Sequence, residues 1–267
     1  MRILQLISTS SIAVIAAWAF AQISSAADNA APTTAGQLAS QLSTLRQDGT
    51  SYVRLRMEIK GATPQVLQLQ IKQRLTKSSS EIVYQVLFPK ERKGESVLLK
   101  KAGNRPASGS LFTPPSNVRA IGDLKEPMLG SDLSYEDIIE NFFAWEQQAI
   151  VGNEAVDGVS CQILESKPGK ADRSTYGSVR SWIDVKRLVP LRVEKYSSAG
   201  KLVRRIDTTR VVGDAGRQIP ADLVVHGSRA DSSTQLDGSR IRHDVSYTDA
   251  DFSPEGLKDV APPHGAP

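Results

Sequence analysis

The chain has 267 residues, 40% of them hydrophobic, and 33 Lys and Arg against 29 Asp and Glu give a formal charge of +4. The basic residues are spread along the chain, which leaves no electrostatic footprint for nucleic acid. The single cysteine, Cys161, excludes an intrachain disulfide framework, so stability has to come from a hydrophobic core.

At the N-terminus, Arg2, the apolar run from Ile12 to Phe20 and the small residues before Ala27 form a signal peptide over residues 1–27, cleaved near Ala26 or Ala27. The apolar run is too short for a bilayer-spanning helix of ~20 residues, and no later stretch approaches that length. No cysteine stands near the cleavage region to accept a lipid. The expected product is a periplasmic protein with no transmembrane segment, in which 28–257 fold as one domain and 258–267 form a disordered tail.

Leu38, Leu42 and Leu45 lie at helical spacing and predict one amphipathic helix over 34–47. Period-two alternation follows. Val53, Leu55, Met57 and Ile59 alternate with Arg54, Arg56 and Glu58, and Leu67, Leu69 and Ile71 alternate with Gln68, Gln70 and Lys72, giving a hairpin with one oily and one wet face. Further strands are expected at 82–88 and 97–99, then a loop over 102–110. Met128 to Ile138 holds a glycine turn and a capping box, Ser134 with Asp137, with acids at the positive end of a helix. That helix is predicted from Tyr135 to about Trp145, with Ile138, Ile139, Phe142 and Phe143 as its apolar stripe. Strands are expected again at 162–165, 178–185, 191–196, 201–206, 223–226 and 241–247, and short turns between them imply antiparallel pairing.

A long antiparallel sheet with one apolar face and two helices has a burial problem. If the helices act as a removable lid, the face beneath suits an acyl chain, since each methylene taken from water contributes ~0.8 kcal/mol. The candidate lining is Val53, Leu55 and Met57 in the first strand and Leu67, Leu69 and Ile71 in the second. Tyr84, Val86 and Phe88 continue it in the third, and Ile183, Leu191 and Val193 in the C-terminal half. From alternation alone, an ordinary core is the favoured reading of the same residues.

No catalytic or metal constellation stands out. His226, His243 and His264 are too scattered for a zinc site. Cys161 lacks a partner that would activate it, and no Gly-x-Ser-x-Gly elbow is present. Capping accounts for Asp132, Glu136 and Asp137 better than paired-carboxylate chemistry does. The expected protein is non-catalytic, with no cofactor and no metal.

Leu87-Phe88-Pro89 with Gly94, then Met128 through Asp137, resemble the outer-membrane lipoprotein-sorting family, the relatives of LolA and LolB. Trp182-Ile183-Asp184, Leu188 to Arg192 and Ala199-Gly200-Lys201 continue the likeness, which spans most of 50–257. The family motif falls on Gly130, Ser131, Asp132, Tyr135 and Asp137. The resemblance implies a mainly β (α+β) fold, an incomplete antiparallel β-barrel or half-barrel whose concave apolar face is covered by helices. It also implies a periplasmic carrier for a lipid or for lipoprotein acyl chains. The chain departs from the pattern at Leu111-Phe112-Thr113-Pro114-Pro115, a shorter, proline-broken strand. The missing lipoprotein cysteine favours a diffusible carrier over an anchored receptor. An arginine of the first strand, Arg54 or Arg56, is a further candidate for binding lid carbonyls or a head group. The alternative to the carrier is an envelope sensor or adaptor docking on an inner-membrane transporter.

Overall fold

The computed structural model describes residues 34–47, 49–103, 105–229 and 231–263. The expected signal peptide over 1–27, and His264 with the last residues of the expected tail, lie outside the described residues. Thr34 starts helix α1 (Ala35–Leu45) through a capping box with Gln37. Leu38, Ala39 and Leu42 form its buried side.

Six strands follow: β1 (Gly49–Lys60), β2 (Gln65–Leu75), β3 (Ser79–Phe88), β4 (Ser96–Ala102), β5 (Ser108–Thr113) and β6 (Asn117–Ala120). The short helix α2 (Tyr135–Ile139) precedes β7 (Gln147–Val156), β8 (Val159–Lys167), β9 (Tyr176–Asp184) and β10 (Val189–Ser197). β11 (Leu202–Asp214), β12 (Arg217–His226) and β13 (Ser233–His243) complete the set. These thirteen strands form one open antiparallel sheet in the order β6-β5-β4-β3-β2-β1-β13-β12-β11-β10-β9-β8-β7. β6 and β7 are consecutive in sequence yet sit at opposite edges, so the segment 121–146 has to cross the whole width of the sheet. That crossing is the organising feature of the fold.

The expected elements differ from the observed ones in four places. The region expected as a loop over 102–110 contains the start of β5, and β6 and β7 had no expected counterpart. The strand expected over 241–247 lies earlier, as β13, and ends where Asp244 takes a left-handed φ of 55°. The helix expected to reach Trp145 stops at Ile139, because Glu140 turns extended (ψ 134°), and a single 3₁₀ turn covers Phe142–Ala144. At Gly94, with φ 91°, a Cβ would lie 3.1 Å from Pro114 Cγ, so glycine lets the proline-broken end of β5 pack close.

One face of the sheet is apolar from wing to wing. Met57 pairs with Leu236 and Leu236 with Leu223; Val225 pairs with Ile206, Ile206 with Val193, Val193 with Ser181 and Ser181 with Leu164. On the β1–β5 side of this face, Met128, Leu129, Leu133, Tyr135 and Ile139 of the crossing pack against the strand residues. On the β8–β10 side, Leu38, Ala39 and Leu42 of α1 pack there together with Phe142, Phe143 and Trp145.

The opposite face of β1–β4 is not wet. Tyr52, Gln70, Lys72 and Gln85 are buried there, beneath the chain that follows β13. Gln85 donates to the carbonyls of Leu257 (3.2 Å) and Asp259 (2.9 Å), and Gln70 to that of Val260 (2.9 Å). Lys72 pairs with Asp251 at 3.3 Å, while Phe252 and Leu257 pack on Val83, Leu98 and Phe112. Alternation put Gln70 and Lys72 on the face opposite the apolar one, but protein groups, the Val260 carbonyl and the Asp251 carboxylate, take the place of the expected water around them.

Candidate functional site

The expected cavity residues converge. Met57, Leu67, Leu69, Ile71, Tyr84 and Val86 are buried in one cluster, with Val53 and Leu55 packed against it half-buried. Ile183 and Val193 belong to the adjoining cluster on the β8–β10 side. In this conformation the face is filled by side chains of the crossing segment. Burial pushes the Tyr84 phenol up to about 12, against the opposing field of Arg46, so it stays neutral at physiological pH.

Two expected lining residues lie elsewhere, and bulges are the reason. The β2–β3 register shifts between Gln68 and Leu69, so Phe88 pairs with the exposed Gln68 and is itself 55% exposed. The β9–β10 register shifts between Pro190 and Arg192, and Leu191 packs with Val156, Cys161, Trp182 and Val189 instead of with Val193. One inserted residue reverses the side-chain alternation beyond it. The expected lid stripe also divides: Ile138 and Ile139 meet the first cluster, whereas Phe142 and Phe143 meet the second. Arg56 pairs with Glu58 and Asp237, and Arg54 stacks 5.8 Å over Tyr52.

The family-motif residues act as anchors for the crossing. Leu129 and Gly130 take left-handed φ values of 54° and 87°, turning the chain into Ser131, whose hydroxyl accepts from the Leu133 N–H. Asp132 is buried and accepts from Ser232 (2.8 Å), Thr234 (2.9 Å) and Arg229 (3.1 Å), which ties the crossing to β13 and the loop before it. Tyr135 sits in the first cluster. Glu136 accepts from the Ser174 hydroxyl (2.6 Å) and the Thr175 N–H (2.9 Å), just before β9.

Asp137 makes the expected capping box with Ser134, and also something alternation did not reveal. Its carboxylate is fully buried, 2.7 Å from the ammonium of Lys195, paired with Arg204 and accepting from the Tyr176 hydroxyl at 2.8 Å. Lys195 lies over the rings of Phe142 and Tyr176. Burial acts to raise the Asp137 pKa, yet the two cations hold it below the usual carboxylate range. The signal in the sequence was Lys195 at an inward position of β10, two residues after Val193.

A second tether joins the crossing to β4 and α1. Both Glu140 carboxylate oxygens lie 2.6 Å from Lys101 Nζ, and the Trp145 indole donates to one of them at 3.0 Å. Arg46 donates to the Glu140 carbonyl at 3.0 Å, and burial lowers its pKa against the pull of Glu140. A cleft of about 690 Å³ opens here, between α1, the β2–β3 and β4–β5 turns and residues 139–148. A smaller cleft of about 440 Å³ lies at the other end, by Gly130 and Tyr135. Among the described residues, no group of three or more His, Cys, Asp or Glu is placed to hold a metal. His243 pairs with Asp214 at 2.7 Å. No helix among the described residues is long and apolar enough to cross a membrane.

Solved structures share this architecture. A DUF1329 family protein from Desulfovibrio piger superposes with a TM-score of 0.77 at 24% identity, covering 84% of this chain and 97% of its own. A putative outer membrane lipoprotein-sorting protein domain from Vibrio parahaemolyticus gives 0.74 at 19% identity, with 83% and 97% covered. A LolA superfamily protein from Nitrosomonas europaea gives 0.67 at 18% identity, with 83% and 98% covered. No curated protein matches the chain. Residues 78–259 match the model of a family described as "-like: Uncharacterized protein"; the chain belongs to that family, and its fold is that of the LolA-like proteins.

Proposed function

We propose that the protein is a periplasmic carrier that binds a lipid, or the acyl chains of a lipoprotein, against the apolar sheet face and shuttles it between envelope membranes without catalysis. The observation that carries this reading is the crossing: one short segment, with α1 beside it, supplies the apolar side chains that close the face of an otherwise open sheet. An alkyl chain offers the same contacts at ~0.8 kcal/mol per methylene, so exchanging Met128, Leu129, Leu133 and Ile139 for a long acyl chain is close to balanced. Exchange near balance is what a carrier needs, because cargo must leave as well as bind. The lipoprotein-sorting neighbour with the same sheet supports the reading. In it, 1–27 direct export, 28–257 are the binding domain, and Val53, Leu55, Met57, Leu67, Leu69 and Ile71 meet the cargo first.

The test is native mass spectrometry of the protein purified from an envelope fraction, followed by solvent extraction. A co-purifying acyl species is the expected result and identifies the cargo. A protein that arrives empty, takes up no lipid and binds no hydrophobic dye would remove the carrier and favour an adaptor docking on an inner-membrane transporter.

A further inference from the structure

The two clefts touch the same core from opposite ends, but their charges differ. In the smaller one, Arg92 pairs with Glu95 at 2.6 Å and Arg119 with Glu126 at 3.6 Å. In the larger one, Lys77, Arg105 and Arg173 stand exposed and form no ion pair among the described residues, and with Arg46 and Lys101 they outnumber the lining carboxylates of Glu140, Glu146 and Asp172 by five to three. Its floor is apolar: Ile82 and Ile139 belong to the first core cluster, and Leu75 and Ala107 pack against it. At the throat, Asn141 donates to Ser43 at 3.0 Å while its own Oδ1, buried, accepts no hydrogen bond. A cationic rim around an aliphatic floor is the complement of an amphiphile with an anionic head.

We infer that the larger cleft is the mouth of the carrier and that it selects amphiphiles whose headgroup carries a net negative charge of the phosphodiester class. This rests on the carrier reading and specifies its cargo. The chain enters between Ile82 and Ile139, and the headgroup stays at the rim opposite Lys77, Arg105 and Arg173. A free phosphate ester would satisfy the rim but not the floor, so it binds more weakly.

Calorimetric titration below the critical micelle concentration tests this with lysophosphatidylglycerol, lysophosphatidylcholine of the same chain length, and glycerol phosphate. The anionic lysolipid should bind about tenfold tighter than the zwitterionic one, the size expected of three partly solvated charge contacts. The triple variant Lys77→Gln, Arg105→Gln, Arg173→Gln should lose that preference and keep its affinity for lysophosphatidylcholine. A double variant at the other end, Lys90→Gln with Lys93→Gln, should keep the preference. Equal affinity of the wild type for both lysolipids, or a preference that survives the triple variant, overturns the headgroup assignment and leaves the carrier standing. Binding of neither lysolipid overturns both. Glycerol phosphate bound as tightly as the anionic lysolipid would make the cleft a site for soluble phosphate esters and overturn the amphiphile.

Discussion

The wing formed by β1–β4 is covered on both faces, and the two covers are held differently. On one face, the crossing segment rests on Met57, Leu67, Leu69 and Val86 through apolar contact alone, with its polar ties set beside the contact area at Asp132, Glu136, Asp137 and Glu140. On the other face, buried Gln70 and Gln85 donate directly into the carbonyls of Leu257, Asp259 and Val260. Replacing the second cover by an alkyl chain would remove the carbonyl partners of these buried amides, each at a cost of about 1–3 kcal/mol. Where the first cover parts from the sheet while its anchors at Asp132 and Asp137 hold, the surface laid bare is hydrocarbon, which a lipid chain can replace. The difference separates a fixed wall from an exchangeable one on a single sheet.

The largest expected effect comes from breaking the anchor of the exchangeable cover. Asp137→Asn leaves Lys195 and Arg204 facing each other without their counter-charge and should cost about 3–5 kcal/mol in denaturant unfolding. The pH dependence has a definite sign. Because Asp137 titrates below the unfolded carboxylate value of about 3.9, its stabilisation is fully present above that value and is lost as pH falls through the lower folded pKa. Wild-type stability should therefore decline more steeply on acidification than that of the variant. Parallel acid limbs would show that the buried carboxylate contributes nothing specific.

A pair of smaller truncations sharpens the contrast between the covers. Leu69→Ala, beneath the exchangeable cover, should lose about 2–5 kcal/mol, and a bound acyl chain should recover part of it by filling the space. Gln85→Ala, beneath the fixed cover, should lose about 1–3 kcal/mol. Added lysolipid should raise the melting temperature of the first variant by more than that of the wild type. In the second, the gain should match the wild type; a larger gain there would mean that lipid reaches the wrong face.

Alternation in β1 and β2 was enough to place Met57, Leu67, Leu69 and Ile71 together, and the Ser134–Asp137 box was legible as a helix start. The rest depended on partners distant in sequence. Phe88 and Leu191 were misplaced because a bulge is a property of two strands, decided by what lies opposite. The helix expected through Trp145 broke at Glu140, whose side chain is claimed by Lys101 and Trp145. Asp132 and Glu136 looked like capping acids and instead reach loops about a hundred and about forty residues away in sequence. Buried Gln70 and Lys72 read as a wet face because nothing local announces the chain that covers them.

The smallest stability effect carries the most direct information about opening. Lys101 is the one β4 side chain described here that ties the crossing to the rim of the larger cleft by an ion pair, and it is only partly shielded from water. Glutamine can still donate a hydrogen bond to the buried Glu140 carboxylate, so Lys101→Gln should cost about 1 kcal/mol in unfolding. Arg46 still holds the Glu140 carbonyl, so the segment stays seated in the resting state. What changes is the barrier: the mouth opens without having to break a charged contact, and stopped-flow uptake of a fluorescent fatty acid should accelerate several-fold. Asp137→Asn, acting at the far anchor, should weaken the fold far more than it alters that rate. An uptake rate unchanged by Lys101→Gln but raised by Asp137→Asn would place the moving end of the crossing at α2 and make the larger cleft a rigid rim.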